Sequence, residues 1–203
     1  MGRVIVDVSP SIDGYLAGRG VSVEHPFGDA GQRLHRWMGA DGGVPTDEDR
    51  AEAARMFDGL GAVVLGRTMF DVGIDLWGDD GAWGCQCYVV SHRPQPDVVR
   101  GPTTFTFVDD VERAVEMARQ TAGARDVLLP GGADVVQQAL WAGLVDEVRL
   151  HLVPVLLGSG VPLFREGGPR LALRTTRVVV TPNAVHQAFE VIGGRADAPL
   201  LQS

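Results

Sequence analysis

Apolar and polar residues alternate along several short stretches of the chain, and this alternation predicts strands at Val4–Val8, 62–65, 87–90, 103–107 and Asp126–Leu129. Three more follow one another near the end, at 147–154, 171–180 and Val185–Ile192. Helical spacing fills the gaps between the earlier strands, at 30–38, 46–57, 110–121 and 134–141. Thr46 stands as N-cap before Asp47, Glu48 and Asp49, and acids also open the helix that ends at Gly123. Gly143 closes the helix at 134–141 as a C-terminal glycine. Strand and helix thus alternate through the middle, which favours a largely parallel sheet with covering helices. The uninterrupted last strands add antiparallel pairing, for an α/β mixed sheet of about eight strands.

The chain has 203 residues, of which 45% are hydrophobic, enough to bury one substantial core. Residues 1–203 are therefore expected to form a single domain, and the glycine- and proline-containing stretches read as loops. No stretch reaches the roughly 18 apolar residues of a membrane span. The first residues lack the apolar core of a secretory signal, so a cytoplasmic protein without a membrane partner is expected. The net charge of −8 argues against a nucleic-acid partner. Cys85 and Cys87, two apart, suit neither an ordinary disulfide nor a four-ligand zinc site; they read as thiols around the start of a strand.

Chemistry concentrates where strands end. "VLLPGGADVV" places Gly131 and Gly132 between a buried strand and a helix. A tight turn explains two glycines there; so does a ligand brought close to the backbone at a helix N-terminus that favours an anion. "VVLGRTMFD" brings Gly66, Arg67 and Thr68 to the end of another strand. They read either as a helix start with a solvated arginine or as an anion grip. "YVVSHRP" does the same with Ser91, His92 and Arg93, as a polar loop or a phosphate site. Asp13-Gly14 is a common turn pair. No G-x-G-x-x-G follows the first strand, which weakens a dinucleotide fold of the Rossmann type.

Together "VSPSIDGYLAG", "VVLGRTMFD", "YVVSHRP" and the stretch from the paired glycines through "RLHLVPVLLGSGVPLF" resemble the dihydrofolate reductase-like family. The closest branch is that of the riboflavin-biosynthesis reductase, and the resemblance runs from Val4 to about Ile192 in consistent order. It implies an NADPH-dependent reductase acting on a small heterocycle or carbonyl compound, possible substrates including 5-amino-6-(5-phosphoribosylamino)uracil. It implies that Gly131, Gly132, Ala133 and Asp134 meet the pyrophosphate, with a cis peptide between the two glycines. Gly66, Arg67 and Thr68 would hold phosphates, although Met69 stands where a hydroxyl is commoner; Ser91, His92 and Arg93 would meet the ribose 2'-phosphate. Asp13 would lie near nicotinamide and substrate, positioning the substrate or relaying a proton. His35 and Trp37 are read as pocket lining or core, and Trp77 and Trp83 as a lid or a loop anchor. The rim at 154–164 suggests a homodimer. The zinc-deaminase signature that accompanies some riboflavin enzymes is absent. Two alternatives stand beside this reading. One is dihydrofolate reductase itself, disfavoured because Asp29 is the only acid of its region. The other is a non-catalytic NADP-binding dimer.

Overall fold

The computed structural model describes residues 2–167 and 170–192. The strands are β1 (Val4–Val8), β2 (Tyr15–Ala17), β3 (Leu60–Gly66), β4 (Gln86–Val90), β5 (Val98–Arg100) and β6 (Thr103–Val108). They continue as β7 (Asp126–Leu129), β8 (Glu147–Leu152), β9 (Val161–Pro162), β10 (Ala172–Val180) and β11 (Val185–Ile192). The helices are α1 (Asp47–Arg55), α2 (Arg67–Gly73), α3 (Val111–Ala122) and α4 (Ala133–Trp141).

Nine strands form one sheet in the order β10-β11-β8-β1-β7-β3-β4-β6-β5. From β8 to β6 every pairing is parallel; β11, β10 and β5 join antiparallel. The first strand therefore lies inside the sheet, flanked by β7 and β8, and all five of its residues are buried. Its alternation divides the core. Val4, Val6 and Val8 face α3 and α4 together with Val64 and Leu129, whereas Ile5 joins Val63, Leu65, Phe105 and Leu128 beneath Phe70 of α2. A third cluster, Leu34, Trp37, Val153 and Ala184, packs against Ala53 of α1.

Several local expectations change. Residues 31–38 form a 3-10 helix, Gly31–Met38, rather than an α-helix. Left-handed residues at Ala30 and Gly39 bound it, and Gly31, Leu34 and Trp37, three apart, turn inward with the tighter period. β8 stops at Leu152, beyond which Val153 only bridges Ser11. Arg67 opens a true helix, α2, directly after β3. The short strands β2, β5 and β9 lie in stretches that read as loops; β2 and β9 pair with each other and bring the segment after β1 onto residues 161–162. No described peptide bond is cis, so the Gly131–Gly132 peptide is trans; positive φ values of 153° and 82° at the two glycines make the turn instead.

Trp77 and Trp83 are anchors rather than a lid. Their rings meet at 5.8 Å, and Trp77 stacks on Phe105, also at 5.8 Å. A side chain at Gly73 would meet the Trp77 ring at 2.4 Å, so the glycine-rich loop is seated by its indoles.

Candidate active site

Neighbouring strands β3 and β7 send their helices to opposite faces of the sheet: α2 covers the face of Phe70, α4 that of Val135 and Val136. Such a divergence opens a crevice at the carboxyl ends of the strands, the usual ligand position in open α/β sheets. Its floor is glycine. A Cβ on Gly132 would stand 3.1 Å from the Gly66 Cα and N, so these two backbones approach as closely as glycine permits. Gly131 is closed on its other side by Met69, whose Sδ would lie 3.2 Å from a Cβ there. Met69 thus uses its position for packing, and Thr68 is exposed beside it.

The start of α4 has no side-chain cap, so its first-turn N–H groups keep donor capacity for an anion. Asp134, in that first turn, is exposed and pairs with Arg165 at 2.8 Å, which offsets its repulsion of an anion.

Arg67 and Arg93 are joined by a residue to which sequence reasoning gave no role. Arg67 Nε donates to Asp71 Oδ1 at 2.7 Å, and Arg93 Nη2 donates to Asp71 Oδ2 at 3.0 Å. One carboxylate thus fixes two guanidinium groups and leaves the trio with a charge of +1. Arg67 is held further by the Phe107 ring, 5.4 Å from its guanidinium carbon. The signal was present in the i, i+4 spacing of Arg67 and Asp71. Ser91 is buried, and its hydroxyl exchanges hydrogen bonds with the backbone of Arg93 at 3.1 and 3.2 Å, shaping the turn; His92 is exposed.

Asp13 lies on the other side of β1. It accepts from Ser11 Oγ at 2.6 Å, Leu157 N at 3.1 Å and Gly158 N at 2.6 Å. The Ser11 hydroxyl, helped by the two amides, holds its carboxyl below the ordinary aspartate range. These hydrogen bonds tie the loop after β1 to residues 157–158. Trp37 does not line an open pocket. It is completely buried, donates from Nε1 to Ser9 Oγ at 3.0 Å, and packs on His151 and His186. His35 rests on Phe27, ring centroids 4.7 Å apart, and burial pushes its imidazole down to about 4.

A mixed sheet with this strand order, covering helices and a glycine-floored crevice is a dihydrofolate reductase-like α/β fold. Dihydrofolate reductase from Enterococcus faecalis superposes with a TM-score of 0.59 at 12% identity, over 94% of this chain and 96% of that one. A Shewanella sp. PV-4 protein whose name assigns it provisionally to riboflavin biosynthesis superposes with a TM-score of 0.70 at 19% identity, over 94% and 99%. Residues 3–187 match the RibD C-terminal domain, and the chain belongs to that family. Uncharacterized protein YyaP of Bacillus subtilis is 27% identical over 173 residues, 85% of each chain.

Proposed function

We propose that the protein is an NADPH-dependent reductase that transfers hydride to a small heterocyclic or carbonyl substrate, a ribosylamino-pyrimidine of the riboflavin route being the leading candidate. The observation that carries this reading is the close approach of Gly66 and Gly132 where β3 and β7 diverge. In this reading that contact keeps side chains away from the start of α4, so that a pyrophosphate can approach its backbone N–H groups. Family membership and the fold shared with a dihydrofolate reductase complexed with NADP(H) support the same cofactor.

In this reading the first turn of α4 receives the pyrophosphate, and Arg67 and Arg93, set by Asp71, receive the remaining phosphate charge. Bound NADPH supplies the hydride; the protein supplies orientation. Asp13 acts by positioning the loops on either side of the substrate. A homodimer joined near residues 154–164 belongs to the reading, and light scattering tests it.

Titration of the protein into NADPH, followed by nicotinamide fluorescence, tests the site, and absence of binding overturns it. Binding with turnover of a ribosylamino-pyrimidine and not of dihydrofolate supports the reductase named here. Binding without turnover of any pyrimidine, pterin or carbonyl compound selects the non-catalytic alternative.

A further inference from the structure

Four buried side chains outside the crevice form a single hydrogen-bonded line. Asp7 Oδ1 on β1 lies 2.9 Å from His151 Nε2 on β8. His151 Nδ1 lies 2.7 Å from His186 Nδ1 on β11, and His186 Nε2 lies 2.9 Å from Asp49 Oδ1 on α1. None is more than 2% exposed, and the Trp37 ring covers both imidazoles, at 4.3 and 5.0 Å.

The line can be counted in protons. Three contacts at these distances need three hydrogens, one in each gap. Ionised carboxylates at the ends only accept, and two neutral imidazoles bring one N–H each. Any two-proton arrangement therefore sets one pair of acceptor atoms face to face inside the core, where an unmade bond is costly. A third proton removes the conflict.

Asp49 cannot carry it. Burial works to raise this carboxyl, but donation from Thr46 N, Asn183, His186 and Thr181 outweighs burial and holds it well below the usual range. Asp7 Oδ2 is buried, has no hydrogen-bond partner among the described residues, and lies 3.6 Å from Arg149 Nη1, so a guanidinium faces that end of the line. The proton then belongs to the imidazole pair. We infer that Asp7, His151, His186 and Asp49 form a buried proton-binding site in which one imidazolium is held between two carboxylates.

The charged surroundings are accounted for on each packed element. On β8, Arg149 faces Asp7 and is itself paired with Glu147 at 2.6 Å. On α1, Glu52 adds negative charge near His186 and is held by Arg55 and by Arg177 of β10. The 3-10 helix contributes the Trp37 ring. Burial, with His151 beside it, draws His186 down overall although Asp49 and Glu52 draw it up, and it is the hydrogen-bond count along the line that calls for the extra proton. Two carboxylates at hydrogen-bond distance and the three-gap geometry hold the shared proton against burial.

This site is a latch sensitive to pH, because it joins β1, β8, β11 and α1. Unfolded histidines titrate near pH 6.5. Above that value the unfolded chain holds both imidazoles neutral while the native chain keeps one extra proton. The site's stabilisation is then lost as pH rises through the native value. Below pH 6.5 the unfolded chain binds two such protons and the native chain one, so stabilisation also falls in acid. The contribution peaks near the unfolded value.

Nitrogen-labelled histidine spectra of the full chain between pH 7 and 8 test the proton count directly. One shared imidazolium with a strongly downfield N–H–N proton is expected; two neutral imidazoles at pH 7 overturn the site. Urea unfolding of the wild type and of His186→Gln across pH 6.5 to 8.5 tests the linkage. The ratio of their unfolding constants should move by up to tenfold per pH unit, against the wild type as pH rises, and a flat ratio overturns the latch. The wild-type spectrum decides the matter even where the variant does not fold. Neither measurement involves NADPH, so the result is independent of the reductase reading.

Discussion

Asp13 illustrates how a residue's partners redefine it. With three donors already on its carboxylate, Asp13→Asn should loosen residues 157–158 before it affects any proton transfer. Amide exchange at Leu157 and Gly158 is expected to rise, and substrate KM to rise more than the NADPH dissociation constant. Unchanged exchange with slowed turnover would return Asp13 to the chemical step. Its pKa is depressed, so the tether is fully present above the ordinary aspartate value and is lost only as pH falls through the lower folded value. His35 also has a depressed pKa, about 4 in the folded chain, caused first by burial. Its contribution is present above the unfolded value near 6.5 and disappears as pH falls toward 4, about 1–3 kcal/mol after allowance for partial exposure. Urea midpoints at pH 7 and pH 4.5 should therefore fall further for the wild type than for His35→Phe. Residue types alone made the arginines and glycines legible, because they stand at strand ends. The Asp7–His151–His186–Asp49 line was not legible, since three strands and a helix distant in sequence must meet before its members become neighbours.

At the scale of elements, the crevice depends on β3 and β7 leaving the sheet to opposite faces, and two glycines make that fit. Gly132→Val, at a φ of 82° and with its Cβ 3.1 Å from Gly66, would force the strand ends apart and strain the backbone. It should lower stability by about 1–3 kcal/mol as well as weaken NADPH, so it reports on fold and ligand together. Gly66→Ala is the cleaner probe. Its Cβ would meet Gly132 Cα and Val135 Cγ2 at 3.4 Å, contacts the fold can accommodate while they press on the turn at the start of α4. A folded Gly66→Ala protein with NADPH affinity reduced tenfold or more is expected; unchanged affinity would place the pyrophosphate elsewhere. The elements with clear periodicity, β1, β7 and β11, were legible to the residue. β2 and β9 were not, because a three-residue and a two-residue strand exist only through each other. The Gly31–Met38 helix carried the right inward positions, but its left-handed ends, set by tertiary packing, selected the tighter winding.

The whole molecule carries a net charge of −8, so its average field repels a polyanionic dinucleotide and any preference for NADPH must come from local donors. His92→Ala combined with Arg93→Ala should weaken NADPH tenfold or more while NADH changes little, since a charge-assisted hydrogen bond contributes about 1.5–3 kcal/mol. Raising salt should narrow the wild-type difference between the two cofactors. Dissociation constants measured by fluorescence at low and moderate salt check both statements, and equal losses for the two cofactors would move the 2'-phosphate away from Arg93. The central place of β1 has a consequence for how the chain comes into being. Its partners are Val127–Leu129 on one side and Glu147–Leu150 on the other. During synthesis at about 5–20 residues per second, Val4–Val8 is made on the order of ten seconds before either strand it pairs with. Over that interval five residues destined for burial stand unpaired on the nascent chain. Closure of the sheet's middle is correspondingly an event of high contact order that waits on Val127–Leu129 and Glu147–Leu150.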